Sequence, residues 1–297
     1  LIEALQNPFE KSFKALDILL KTRFSHYIDA PSLSIIVPIT DYCLRGRISE
    51  LKAGACQVIG SIVELIMNPY DFLPYLRIIG AGLKAALCDP LPEIRAIAAM
   101  AIGKMSAKIG KRNAEEYFQF ILDIIESPTS NTTERQGAAQ AYSEIICSHD
   151  YDYFEESLNK IFDKLNEVKH SQKEGFILVF LYVPNIKREE FEGFIKEVNQ
   201  NMYAFVADED ENIRNSAMLV EKVLINHYCL THTDLLLEPL CEGVFETNWR
   251  KRNGALILLG ELLNILKSYM YNTRNQDKTY AYYKGLMAVY VLKDDEL

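Results

Sequence analysis

Asp89-Pro90-Leu91-Pro92-Glu93-Ile94-Arg95-Ala96-Ile97-Ala98-Ala99 reads as a tight turn that opens a helix. Asp89 and Pro90 stop what precedes them, and Pro92 suits the first helical position, where its missing N–H is no loss. Glu93 lies near the positive end of the helix dipole. Ile94, Ala98, Ala101, Ile102 and Met105 then form one apolar stripe at helical spacing.

The phrase recurs along the chain. Asp208-Glu209-Asp210-Glu211-Asn212-Ile213-Arg214 and Glu246-Thr247-Asn248-Trp249-Arg250-Lys251-Arg252 repeat it, and Thr133-Glu134-Arg135-Gln136-Gly137-Ala138-Ala139 echoes it. Basic anchors fall at Lys52, Arg95, Arg135, Lys173, Arg214 and Arg252, with gaps of 43, 40, 38, 41 and 38 residues. A period near forty with two helices per period is the signature of a HEAT-type α-solenoid, an all-α right-handed superhelix, here of about seven helix pairs.

Two residues after the anchors stand Gly54, Ile97, Gly137, Gly175, Ser216 and Gly254, and eight after them Gly60, Gly103 and Gly260. Glycine costs roughly 1 kcal/mol inside a helix, so close approach of neighbouring helices is the expected reason. Six residues before the anchors come Asp89, Glu167, Asp208 and Glu246. Acid in one turn and base in the next helix predict a ladder between stacked repeats, which assigns Arg95, Arg214 and Arg252 to stacking.

Around these anchors the chain reads as paired helices. They are Leu33–Leu44 with Glu50–Met67, Phe72–Leu87 with Pro92–Ile109, and Ala114–Glu126 with Glu134–Cys147. Asp152–Asn166 with Gln172–Val183 (ended by Pro184), Glu189–Ala207 with Asn212–His227, and Leu235–Phe245 with Trp249–Lys267 follow. Leu1–Leu5 and Phe9–Phe24 precede them. Residues 271–279 read as a polar loop, and Tyr280–Leu292 resumes a helix. One array over 1–297 is the expectation, and Leu1, already inside a helical pattern, suggests a segment of a longer protein.

The 297 residues are 49% hydrophobic, yet no run of about 18 uncharged apolar residues occurs, so no membrane span is expected. The six cysteines, at 43, 56, 88, 147, 229 and 241, form no C-x-x-C pair and read as reduced core thiols of a cytoplasmic protein. His227, Cys229, His232 and Cys241 are close in sequence, but their spacing matches no zinc pattern. Asn131-Thr132-Thr133 has the form of a glycosylation sequon, and the final Lys293-Asp294-Asp295-Glu296-Leu297 superficially resembles a retrieval signal. Neither has the signal peptide that would give it meaning. There is no glycine-rich phosphate loop, no G-x-S-x-G and no H-E-x-x-H, and acidic pairs such as Glu115-Glu116 fall on helix surfaces. The expectation is a non-enzyme without cofactor or metal. A net charge of −9 argues against binding nucleic acid through the overall field and leaves room for local basic patches.

Four phrases carry a family likeness: Phe24-Ser25-His26-Tyr27-Ile28-Asp29-Ala30-Pro31-Ser32-Leu33, Asp89 to Arg95, Glu134-Arg135-Gln136-Gly137-Ala138-Ala139-Gln140, and Asn248-Trp249-Arg250-Lys251-Arg252 followed by Leu258-Leu259-Gly260-Glu261-Leu262-Leu263. In this order the chain resembles the central HEAT array of the general control nonderepressible protein one family. Residues 24–110 are also similar to the HEAT domain of fungal elongation factor three. The resemblance implies a ribosome-binding scaffold of translational control that senses stalled or collided ribosomes. It also implies support for activation of the initiation-factor-two-alpha kinase in the amino-acid-starvation response. The implied partners are the ribosome, an ATP-binding-cassette protein, and the kinase through regions outside this chain. Lys251 departs from the family pattern, which tends to an apolar residue there, and 151–205 matches poorly.

Period and composition equally suit another protein-binding solenoid, such as a nuclear transport receptor or a phosphatase scaffold; only the quoted phrases favour the first reading. Turns at repeat edges are where a solenoid gathers contacts. Two are basic in this acidic chain, Arg45-Gly46-Arg47 with Lys52 and Arg250-Lys251-Arg252, which makes Arg45, Arg47, Arg250 and Lys251 the candidate partner-binding residues. Lys104 to Arg112 is a third basic stretch, at a helix C-terminus that favours cations.

Overall fold

The structure, a computed structural model, describes residues 1–23, 26–167, 172–273 and 277–295, the last four by backbone alone. These form α1 (Ile2–Gln6), α2 (Pro8–Lys21), α3 (Ala30–Arg45), α4 (Ser49–Leu65), α5 (Leu76–Leu87), α6 (Pro92–Ile109), α7 (Lys111–Glu126) and α8 (Thr132–Ser148). They continue as α9 (Tyr151–Glu167), α10 (Lys173–Ile186), α11 (Ile195–Phe205), α12 (Glu211–Tyr228), α13 (Thr233–Gly243), α14 (Trp249–Thr273) and α15 (Thr279–Asp295). No strand forms among the described residues; a single parallel bridge joins Ile28 and Ile66. The fold is all-α helix pairs, as the repeat implies. No described helix is long and apolar enough to cross a membrane.

Several boundaries differ from the sequence reading. Asn68-Pro69 does not lead straight into a helix: two 3₁₀ turns, Pro69–Asp71 and Leu73–Tyr75, intervene before α5, the first capped by the Asn68 side chain. Two prolines in seven residues deny the backbone N–H groups a regular α-helix needs. Pro184 does not end α10, which runs on to Ile186, because near a helix C-terminus a proline removes a single bond. α14 continues to Thr273, into the stretch expected as loop. Phe24 and Ser25 of the first family phrase, residues 274–276 of the polar stretch, and Glu296-Leu297 lie outside the described residues.

The chain forms two compact units, Leu1–Val179 and Phe180–Leu297. In the first, the second helices of successive pairs, α4, α6 and α8, pack side by side. Their contacting faces are small. Gly60 lies where a Cβ would sit 3.5 Å from the Ala101 Cα, and a Cβ at Gly103 would press on Glu144. Ile59, Ile62, Ile94, Ile102 and Ile145 fill the space behind, all 1% exposed or less. Asn131 caps α8 by accepting from the Glu134 N–H while the Glu134 carboxylate accepts from the Asn131 N–H, a complete capping box.

In the second unit α12 and α14 pack side by side, and α15 packs on α13 and α14. Phe191, Leu224, Tyr228, Leu240, Leu258 and Leu262 are buried at its centre. The Tyr228 hydroxyl donates to the Arg188 carbonyl at 2.8 Å, and the Arg188 guanidinium returns a bond to the His227 carbonyl, which fixes the poorly patterned stretch before α11.

Candidate interaction surface

The anchors do stacking work, by a route only partly legible in the sequence. The expected acid–base ladder forms at Lys52, whose Nζ lies 2.9 Å from Asp89 Oδ2 of the next repeat. Burial pushes the Asp89 carboxyl up. The bonds from Lys52 and the Leu91 N–H, with the charges of Lys52 and Arg95, outweigh this and hold it below its ordinary value. Elsewhere the guanidinium takes carbonyls of its own turn. Arg95 donates to Asp89 O and Pro90 O, both at 2.9 Å. Arg214 donates to Asp208 O and Glu209 O at 2.8 Å, and Arg252 to Glu246 O and Thr247 O at 2.9 and 3.0 Å. A planar fork with several donors suits two adjacent carbonyls in a way an ammonium does not. The link to the next repeat goes to the residue after the next anchor: Arg95 to Gln136 at 3.0 Å, and Arg135 to the buried Glu174.

The glycines two residues after the anchors face the first helix of the preceding repeat. A Cβ at Gly54 would meet Leu20 and Leu16, at Gly137 the Leu87 carbonyl, at Gly175 Ile125 and at Gly254 Val206. Gly260 faces nothing within 4 Å, so it has no packing role of this kind.

The four candidate contact residues divide between the units. Arg45 and Arg47 lie in Leu1–Val179, Arg250 and Lys251 in Phe180–Leu297. Arg45 is exposed and gripped by Asp41 one turn back, its Nε 2.9 and 3.0 Å from the two carboxylate oxygens. Arg47 is exposed in the turn. Lys251 is drawn inward, 3.4 Å from the Glu246 carboxylate and 5.9 Å from the Tyr203 ring centroid. Arg250 instead lies over the Trp249 ring, 5.5 Å from its centroid. In the third basic stretch Lys104 pairs with Glu64 at 3.1 Å and Lys111 with Asp150 at 3.4 Å, and Lys108 donates to the Glu64 carbonyl.

A groove of about 550 Å³ between α12 and α14 was not singled out by the sequence. Met218, Leu219, Trp249 and Ile257 form apolar walls; Arg214, Lys222 and Arg250 are its charged lining, and no acid lines it. The signal was present in the repeat: Asn215 and Asn253, Leu219 and Ile257, occupy equivalent positions 38 residues apart. No group of three or more His, Cys, Asp or Glu able to hold a metal occurs among the described residues. His227 Nε2 instead meets Asn185 Oδ1 at 2.9 Å, and burial pushes the Cys229 thiol up to about 11.

Residues 11–116 match the Elongation factor 3/GNC1 HEAT repeat. Over 263 residues the chain is 36% identical to Protein ILITYHIA of Arabidopsis thaliana and 33% identical to the eIF-2-alpha kinase activator GCN1 of Saccharomyces cerevisiae, covering 89% of this chain and 10% of each relative. It is 32% identical over 265 residues to the Stalled ribosome sensor GCN1 of Homo sapiens, with the same coverage. The chain is therefore a relative of the GCN1 proteins, similar to them over most of its own length and spanning about a tenth of theirs.

Proposed function

We propose that this chain is a ribosome-binding HEAT-repeat segment of a cytoplasmic translational-control scaffold, which senses stalled or collided ribosomes and supports activation of the initiation-factor-two-alpha kinase. The observation that carries it is the similarity over 89% of the chain to proteins named eIF-2-alpha kinase activator and stalled ribosome sensor. An ATP-binding-cassette protein is a further partner in this reading, and the kinase engages regions outside the chain. The helix pairs supply the frame: their inward faces are occupied by stacking, and the turns remain for partners.

Within that frame the ribosome contact falls on the basic turns, Arg45 and Arg47 in one and Arg250 and Lys251 in the other. Arg250 and Lys251 stand in the first turn of α14, where cations oppose the helix dipole by roughly 0.3–1 kcal/mol each. A negatively charged partner relieves that cost. Phosphate contacts weaken steeply with salt in proportion to the charges engaged. The test is co-sedimentation of the purified chain with monosomes and with collided disomes across a salt titration. Arg250→Glu with Lys251→Glu is expected to weaken binding and flatten its salt dependence while the melting temperature stays within about 2 °C. Arg252→Glu, which removes the clamp on Glu246 and Thr247, lowers the melting temperature instead. Wild-type protein that stays in the supernatant with both ribosome preparations would overturn the reading; unchanged binding of the double variant would move the contact off this turn.

A further inference from the structure

The α12–α14 groove has a composition that stacking does not require. Trp249 is 63% exposed, Leu219 46% and Ile257 43%, so large apolar side chains of two successive repeats stand in water on the same groove. Scattered exposed apolar residues are ordinary, but a contiguous set flanked by cations is the composition of a contact patch, in which Trp, Met and Arg are enriched. Charge gives the sign of the partner. In a chain of net charge −9 this groove is lined by three cations and no acid. Lys222 is partly neutralised by Glu261 at 3.4 Å, and Arg214 holds turn carbonyls. Arg250 has the Trp249 ring beneath it and lines the groove from the first turn of α14.

Three features distinguish a peptide from a nucleic acid here. The walls are mostly aliphatic, which receives aliphatic side chains and offers a base little to stack on. The exposed amides of Asn215 and Asn253 line the groove one turn from Leu219 and Ile257, and an amide can both donate to and accept from a peptide backbone. The chain's own negative field also opposes a polyanion whose every residue is charged, while tolerating a segment in which acids are interspersed with apolar residues.

We infer that the groove between α12 and α14 docks an acidic segment of a partner protein, which inserts aliphatic or aromatic side chains between Leu219, Ile257 and Trp249 and sets carboxylates against Arg250 and Lys222. The inference shares Arg250 with the ribosome contact but goes beyond it, because it is argued from the apolar walls. The two stand or fall separately.

The test is selection of a random displayed peptide library on the full chain, followed by fluorescence anisotropy of the best enriched peptide, labelled. Enriched sequences are expected to be acidic with interspersed Leu, Ile, Phe or Trp. Leu219→Asp and Ile257→Asp, both at exposed positions, are each expected to weaken the peptide about tenfold or more, and Arg250→Glu to weaken it and flatten its salt dependence. Arg45→Glu, in the other unit, leaves binding unchanged, and circular dichroism melts of every variant control for folding. No enrichment, enrichment of basic peptides, or binding indifferent to Leu219→Asp and Ile257→Asp would each overturn the proposal. So would oligouridylate RNA that binds the chain, competes with the peptide and is lost in Trp249→Ala, since the groove is then a base-stacking site. Ribosome co-sedimentation, run on Leu219→Asp in parallel, separates the two readings: peptide binding lost with ribosome binding intact supports a groove distinct from the ribosome contact.

Discussion

Glu221 is the least comfortable residue in the molecule. Its side chain is 1% exposed, one carboxylate oxygen has no hydrogen-bond partner, and burial pushes its carboxyl well above the ordinary glutamate range. The Tyr203 hydroxyl is likewise buried without a partner, and burial, with Glu246, Glu221 and Glu242 nearby, pushes it up to about 12. A carboxyl whose folded pKa exceeds its unfolded one contributes stability that is complete below the unfolded value, about 4.3, and is lost as pH rises through the folded value. Glu221→Gln is therefore expected to raise the melting temperature at pH 8, with a gain that shrinks as pH falls towards 4.3. Thermal melts over a pH series check this; a gain of the same size at every pH would assign the effect to packing instead. Asp89 works in the opposite direction. Its carboxyl is held low, so its contribution is present above the unfolded value and is lost as acid drives the pH down through the folded one.

At the scale of the element, the glycines of the second helices do two different things. Gly137 lets α8 approach the Leu87 carbonyl so closely that no Cβ fits, whereas Gly260 on α14 faces open space. Gly137→Ala is thus expected to destabilise by roughly 1–3 kcal/mol through overpacking. Gly260→Ala is expected to stabilise by about 0.5–1 kcal/mol, because the helix loses an unneeded flexible residue. Urea unfolding of the two variants beside the parent decides it; equal shifts of the same sign would contradict the assignment. The sequence made both glycines visible at fixed offsets from the anchors but could not separate them, because offset reports a helix face and not what lies opposite. The helix pairs were legible for a related reason: apolar periodicity and the phrase at Asp89 to Arg95 are local. Where local signals compete they misled. Pro184 looked like a stop and lies inside α10, while the prolines after Asn68 delayed α5 by two 3₁₀ turns. The candidate surface was half legible. Basic turns can be read from charge alone, but that Lys251 turns in towards Glu246 while Arg250 lies over Trp249 depends on the neighbouring helix. The groove of Leu219 and Ile257 needed two repeats side by side before it existed.

At the scale of the whole molecule, each repeat is fastened to its neighbours by the same few devices. A chain cut after residue 148 keeps α1 to α8, including Lys52–Asp89 and Arg95–Gln136, and loses only the partner of Arg135 at the new end. It is expected to remain helical and to unfold cooperatively at a lower temperature than the parent, since solenoid stability sums over repeats and their interfaces. Circular dichroism and calorimetry of that fragment provide the check; a fragment without a melting transition would mean that the first half depends on the second.

The side-chain hydrogen bonds that join one repeat to the next among the described residues, from Lys84–Glu116 to Gln172–Glu126 and Lys284–Glu238, span only 32 to 46 positions. None of them waits for a distant part of the chain. During synthesis, which adds about 5–20 residues per second, each new helix pair finds its docking partner already made, and a few seconds more of elongation complete the next one. A polypeptide of this kind acquires its structure in the order it is written, and the length of unfolded chain exposed at any moment stays near one period however long the finished protein becomes.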